Sequence, residues 1–168
     1  MKILVLSDSH YGQNFMRRCM DILKPDQVIH LGDHYEDAES LQRDYSHIRF
    51  HMVPGNCDRK NPFASVPSIM CYDIGSVRMY MTHGHLHGVK SDIFRLLADA
   101  WEAEAQVALF GHTHEALCFQ TEDGMYVLNP GSCRTSDGSV GLIELEAGKV
   151  TACRVLRQAD LELMQAQK

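Results

Sequence analysis

Three apolar runs, KILVL (2–6), QVIHL (27–31) and RFHMV (49–53), each stop abruptly at a short polar segment: SDSH, GDH and PGNCD. Runs of this length, bounded by Gly, Pro, Asn or Asp, read as buried strands. Between them the spacing predicts helices over 12–23 and near 36–46. In the first, Met16, Met20, Ile22 and Leu23 recur at helical spacing and form a core face. A strand–helix–strand alternation of this kind builds a parallel sheet. The carboxyl ends of its strands then lie together, so the three polar segments open into one crevice, where open α/β sheets bind their ligands.

The remaining pattern is strand-rich. Strands are expected at 69–74 and 77–82, joined around Gly75-Ser76, then a helix over 91–103, where Ile93, Leu96, Leu97, Ala100 and Trp101 recur at helical spacing. The strand QVALF (106–110) runs straight into GHTH, and further strands are expected near 116–121, 124–129, 139–145 and 149–156. The segment 61–68 holds two prolines and reads as a loop; the last dozen residues are polar and no element is assigned to them. Early βαβ units followed by hairpins predict an α/β fold of two mixed sheets packed face to face with helices outside. With 168 residues and no linker or repeat, residues 1–168 read as one domain.

Composition narrows the function classes. The longest apolar stretches are too short for a transmembrane span, and the amino-terminal run is too short for a signal peptide, so a cytoplasmic protein without membrane association is expected. Six scattered cysteines with no C-x-x-C pair read as reduced thiols and exclude a zinc ribbon. A formal charge of −6 argues against a broad surface for extended nucleic acid. It leaves a small phosphate substrate open, because bound cations reverse the local sign of a site.

The polar segments carry metal-ligand chemistry. Asp8 and His10 stand two apart after the first strand, and an extended loop start lets both face one ion while Ser9 points away. Asp33 follows a glycine at the end of the second strand and is the candidate to bridge two ions, which a shared carboxylate holds roughly 3.5–4 Å apart. Asn56 offers a neutral carbonyl oxygen. His83 in THGH, and His112 with His114 in GHTH, complete a set of seven nitrogen and oxygen donors. Such donors without thiolate suit Mn²⁺, with Ni²⁺, Fe²⁺ or Zn²⁺ as alternatives. Two ions would orient a phosphoryl group and generate a bridging hydroxide to attack phosphorus in line, with no protein nucleophile.

SDSH, LGDH, PGNCD, THGH and GHTH, in this order, resemble the calcineurin-like metallophosphoesterase superfamily. The short chain and the later NPGS (Asn129–Ser132) are most similar to its small YfcE-type phosphodiesterase branch. The resemblance implies a four-layered αββα sandwich. It also implies a ligand partition: Asp8, His10, Asp33 and His114 for one metal, and Asp33, Asn56, His83 and His112 for the second. Many members carry GNH, whose histidine is thought to protonate the leaving group. Cys57 stands there in this chain, a poorer proton donor than a poised imidazole, which predicts a preference for good leaving groups such as aryl diesters.

Around this set, Asp33 and Asn56 are the catalytic candidates, with His85, two residues after His83, placed to reach substrate or a metal-bound water. Arg59, at the expected mouth, either clamps a phosphate through its planar fork or is a solvated loop residue; Arg134 after NPGS has the same two readings. His34 is a candidate to support Asp33. His30 reads as buried and hydrogen-bonded, His47 and His51 as solvated or core-edge, and His87 as a loop residue. Cys57 is either a reactive thiol or a small apolar filler.

The expected activity is a two-metal phosphodiesterase acting on a small, nucleotide-like phosphoester. Alternatives are a phosphomonoesterase or nucleotide phosphatase, and a protein-binding scaffold like the retromer subunit that shares these motifs. The presence of all seven candidate ligands weighs against the scaffold. The late hairpins offer strands that could pair across a two-fold, so a homo-oligomer is compatible with the sequence.

Overall fold

The computed structural model describes residues 1–58, 65–134 and 137–166. Arg59 and the first part of the proline-containing loop lie outside the described residues. The chain opens with β1 (Lys2–Leu6), α1 (Gln13–Leu23), β2 (Gln27–His30), α2 (Tyr35–Asp44) and β3 (Arg49–Met52). The three strands pair in parallel, Ile3 against Gln27 and Gln27 against Arg49. The helix α1 stops at Lys24, which adopts the left-handed conformation before Pro25.

The second half supplies β4 (Ile69–Ile74), β5 (Val77–Thr82), α3 (Phe94–Glu102), β6 (Val107–Leu109), β7 (Leu117–Gln120) and β8 (Tyr126–Asn129). It ends in β9 (Ser139–Glu146), β10 (Lys149–Arg157) and α4 (Gln158–Ala166). One sheet has the order β10-β9-β1-β2-β3 and the other β4-β5-β6-β8-β7; both mix parallel and antiparallel pairs.

Side-chain alternation along β1 makes the layers. Leu4 and Leu6 pack outward with Met16, Met20 and Leu41 of the helices, while Ile3 and Val5 pack inward with Met79, Met81, Val107 and Leu109 of the opposite sheet. Each of these four β1 side chains is completely buried, which stabilises the fold by about 1.5–3 kcal/mol apiece. A third cluster joins α3 to the outer face of the second sheet through Leu96, Ala100, Ala108 and Phe110. The result is the αββα sandwich expected.

Three expectations change. The carboxyl-terminal segment, left without an element, forms α4. Leu161 is fully buried against the α1 cluster and Met164 packs beside it. The Asp160 carboxylate accepts the Arg157 N–H at 2.8 Å, half of a capping box. Two inward apolar residues, with Leu163 exposed, are too weak a stripe to signal a helix in the sequence. Trp101 belongs to α3 but turns outward and is 69% exposed. His87 is a buried tether instead of a loop residue: its Nε2 lies 3.0 Å from the Tyr80 hydroxyl and 3.3 Å from Asp99 Oδ2.

His51 is buried at the core edge. Its Nε2 donates to Gln27 Oε1 at 2.6 Å and its Nδ1 accepts from the Tyr72 hydroxyl across the two sheets. The cysteines are free thiols, and Cys118 and Cys153 meet between edge strands with sulfurs 3.7 Å apart.

Candidate metal centre

The segments after β1, β2, β3, β5 and β6 converge at one end of the sandwich. There, one donor atom each from Asp8, His10, Asp33 and His114 lie within 4.8 Å of one another, and so do donors from Asp33, His83 and His112. Asp33 belongs to both groups. The Asn56 amide oxygen joins the second group, 3.1 Å from His83 Nε2. All seven donors singled out in the sequence are therefore brought together.

The backbone that holds them is unusual. Asp8, His10, Asp33, His112 and His114 all have positive φ, between 40° and 69°. The expectation of an extended start at Asp8 and His10 is therefore wrong. A non-glycine residue in the left-handed region costs roughly 1–2 kcal/mol, because its Cβ crowds the following carbonyl. Such strain gathers at functional sites where surrounding bonds over-determine the backbone. Here Ser132 Oγ donates to the Asp8 carbonyl at 2.7 Å, Gly12 N–H to the Ser9 carbonyl at 2.7 Å, and Asp8 N–H to the Gly32 carbonyl at 2.9 Å.

Two glycines let the segments approach. A Cβ on Gly55 would overlap Asp33 Oδ1, and one on Gly111 would overlap Ser7 Oγ and crowd Asp8 Oδ2.

Protonation and hydrogen bonding show what the centre is suited to hold. His83 is fully buried, and its Nδ1 donates to the Leu31 carbonyl at 2.7 Å. Burial pushes its pKa down to about 4, against the pull of Asp33, so the ring is neutral. Its Nε2 then carries a lone pair, aimed at Asn56 Oδ1 at 3.1 Å and Asp33 Oδ1 at 3.5 Å. Three acceptors converge with no proton between them, an arrangement that a cation satisfies.

The first group has the same character. Asp8 is completely buried; burial raises its pKa to about 6, despite the bond from Ser7 Oγ, and among the described residues its Oδ1 accepts no hydrogen bond. His10 Nε2 is likewise buried without a hydrogen-bond partner, and burial followed by the neighbouring His34 lowers its pKa. Asp33 is pushed up by burial, yet the neighbouring His83 ring and the Cys57 N–H bring it below the ordinary carboxylate value. His112 is lowered by burial and then by Lys90. These residues fit divalent cations held by nitrogen and oxygen.

Two buried carboxylates that the sequence reading missed hold the donor loops. Asp58 accepts the N–H groups of Asp33 at 2.9 Å, Gly55 at 2.8 Å and Tyr35 at 3.0 Å, clamping the β2 and β3 loops together. Asp37 accepts from Ser9 Oγ at 2.8 Å, Tyr11 N–H at 2.8 Å and Gln13 Nε2 at 2.9 Å, fixing the His10 loop against α2. The signal for Asp58 was its place two residues after Asn56, where Asp binds neighbouring backbone N–H groups in turns.

The other candidates sort out as follows. His34 packs edge-on to His10, ring centroids 4.7 Å apart. His85 lies beside the second group, 5.3 Å from the His83 ring and 6.1 Å from His112. His30 is fully buried, and burial lowers its pKa to about 4; its Nδ1 accepts the Gly32 N–H. NPGS is a structural corner: Asn129 Nδ2 donates to the Gly111 carbonyl at 3.1 Å and to Thr113 Oγ1 at 2.9 Å, bracing GHTH. Cys57 is neither a buried filler nor an activated thiol. It is exposed, its N–H donates to Asp33 Oδ1 at 2.9 Å, and partial burial with the nearby Asp33 carboxylate pushes its pKa up to about 11. Arg59 lies outside the described residues.

With this geometry in view, the family comparison is decisive: the model described as the calcineurin-like phosphoesterase superfamily domain matches residues 1–148. This chain belongs to that superfamily. Its relatives include the Probable metallophosphoesterase YsnB of Bacillus subtilis (strain 168), 33% identical over 136 residues that cover 80% of this chain and 76% of that one. The Phosphodiesterase MJ0936 of Methanocaldococcus jannaschii is 24% identical and covers 87% and 94% of the two chains. A crystal structure from Streptococcus pneumoniae TIGR4, described as a predicted phosphoesterase, superposes with a TM-score of 0.71 at 25% identity, covering 94% and 90%. These relatives are of the small branch. The family makes this chain a metal-dependent phosphoesterase, and among its described residues no helix is long and apolar enough to cross a membrane.

Proposed function

We propose that the protein is a two-metal phosphodiesterase acting on small phosphodiesters. The observation that carries the reading is the convergence of acceptor atoms on Asp33: the bare Nε2 of His83, the Asn56 amide oxygen and the donors of the Asp8 group all turn toward it. The relative named as a phosphodiesterase supports the diester over the monoester.

In this reading Asp8, His10, Asp33 and His114 hold one ion and Asp33, Asn56, His83 and His112 the other, with Mn²⁺ preferred. When bound, the ions supply Lewis-acid polarisation of the phosphoryl oxygens and acidify a water to serve as nucleophile. The chain supplies the rest. The Leu31 carbonyl fixes the His83 tautomer through Nδ1, the bond that the far ring nitrogen of a metal-site histidine usually makes. Asn56 contributes a neutral oxygen, which limits negative charge where an anionic substrate must enter. His85, beside His83 and His112, is positioned to meet a phosphoryl oxygen or the leaving group. No imidazole stands at position 57, so esters that need little help in departure are favoured and unactivated alkyl monoesters turn over slowly.

The test is hydrolysis of bis(4-nitrophenyl) phosphate and 4-nitrophenyl phosphate by chelator-stripped protein, with Mn²⁺, Ni²⁺, Zn²⁺ or Mg²⁺ restored, beside Asp33→Asn. Diester turnover should require added metal and fall by at least about 100-fold in Asp33→Asn. Turnover that survives chelation, or a fully active Asp33→Asn at limiting metal, would sink the reading.

A further inference from the structure

Arg134 stands where two clefts meet beside the metal centre. Its backbone is pressed against the turn that leads from His10 into α1: a Cβ on Gly12 would overlap the Cys133 carbonyl oxygen and come within 2.9 Å of Arg134 Cα. Ser132 Oγ accepts the Arg134 N–H at 3.3 Å while donating to the Asp8 carbonyl at 2.7 Å. The residue is thus tied to the segment that carries Asp8 and His10. The exposed Arg134 makes no ion pair among the described residues, whereas Arg17, Arg18, Arg78 and Arg154 do and Arg43, Arg49, Arg95 and Arg157, like it, do not.

The clefts on either side of it differ in chemistry. One, of ≈ 310 Å³, is lined by Tyr11, Phe15, Arg18 and Arg134 among others, and among the described residues no carboxylate lines it. Tyr11 is 76% exposed, its ring set edge-on against His34 with centroids 4.4 Å apart. An aromatic ring held out beside the Arg134 guanidinium suits a planar, anionic guest. The other cleft, of ≈ 460 Å³, is lined by His114, Glu115, Arg134, Asp137 and Arg157 among others. Its mixed charges suit a neutral, hydroxyl-bearing guest.

We propose that Arg134 positions the phosphodiester at the divide between these clefts, its fork on a non-bridging oxygen, while each cleft takes one arm of the substrate. The arm against Tyr11 and Phe15 is a planar aryl or nucleoside-type group. The arm along Glu115, Asp137 and Arg157 is polar. The inference rests on the phosphodiesterase reading and deepens it, because a monoester fills one cleft only and forgoes half of this recognition. Loss of a charge-assisted pair of hydrogen bonds weakens binding on the order of 10- to 100-fold.

The experiment is calorimetric titration of Mn²⁺-loaded protein with diphenyl phosphate and with phenyl phosphate, for wild type, Arg134→Gln, Arg134→Lys and Tyr11→Ala. Hydrolysis of bis(4-nitrophenyl) phosphate is followed in parallel. Wild type should bind diphenyl phosphate more tightly than phenyl phosphate. Arg134→Gln should weaken the diester by that 10- to 100-fold and raise KM more than it lowers kcat, with Arg134→Lys between the two. Tyr11→Ala should weaken the diester several-fold and leave phenyl phosphate less affected. Equal affinity of wild type for the two probes, or unchanged diester binding in Arg134→Gln, would overturn the proposal. Diester binding that depends on Arg134 without turnover would defeat the phosphodiesterase reading alone; turnover indifferent to Arg134 would defeat this inference alone.

Discussion

Replacing Asp58 by Asn isolates what the clamp beneath the metal centre contributes. Oδ2 accepts two N–H groups, from Asp33 at 2.9 Å and Gly55 at 2.8 Å, and Oδ1 accepts a third, from Tyr35 at 3.0 Å. The side chain is buried, so water does not replace a lost partner. An amide can keep its oxygen on the first two donors, at about half the strength of the charged bonds. Its NH₂ then faces the Tyr35 N–H, donor against donor. One charge-assisted bond is worth about 1.5–3 kcal/mol; with the two bonds at half strength the expected loss is about 3–6 kcal/mol, a large part of a typical domain's stability. The same change releases the backbone of Asp33 and Gly55, which should weaken metal binding by about 10- to 100-fold, the usual cost of removing a supporting group. Urea unfolding in chelator measures the first effect and calorimetric Mn²⁺ titration the second. An Asp58→Asn protein within about 0.5 kcal/mol of wild type, with unchanged metal affinity, would refute the clamp.

Other outcomes follow from the same contacts. Gly55→Ala should lower both metal affinity and the urea midpoint, because the added methyl would overlap Asp33 Oδ1 and the Asp33 backbone nitrogen; an unchanged Mn²⁺ titration would contradict this. Leu161→Ala should cost about 2–5 kcal/mol in urea unfolding, since the side chain is fully buried; a loss below 1 kcal/mol would mean that α4 is not docked. Stability should fall as pH drops from about 6.5 to 4. Burial, followed by Arg49, pushes His51 down to about 4, so in that window the unfolded chain binds a proton that the native state refuses. The full effect is about 3 kcal/mol at the acid end and none above pH 7; His30, also pushed to about 4, adds to the slope. His51→Gln should flatten the dependence of the urea midpoint on pH, and an unaltered slope would assign the acid sensitivity elsewhere.

What the sequence determined by itself was the periodic part of the molecule and the chemistry at its ends. Apolar runs such as KILVL can bury both faces only in a central strand, and β1 does so, with Leu4 and Leu6 on the helices and Ile3 and Val5 on the second sheet. The seven donors were legible because each follows a strand or stands in a short polar motif, and parallel strands send their carboxyl ends to one place. Tertiary structure decided what depends on partners distant in the chain. The left-handed backbone at Asp8 and His10 is held by Ser132 and Asp37, which no local pattern of residues 7–11 contains. The tautomer of His83 is set by a carbonyl 52 residues away, and α4 exists because Leu161 finds the α1 face. Local sequence specifies which side chain is offered and on which period; only packing specifies the burial and the hydrogen-bond partner, and those two terms turn a histidine or aspartate into a metal donor.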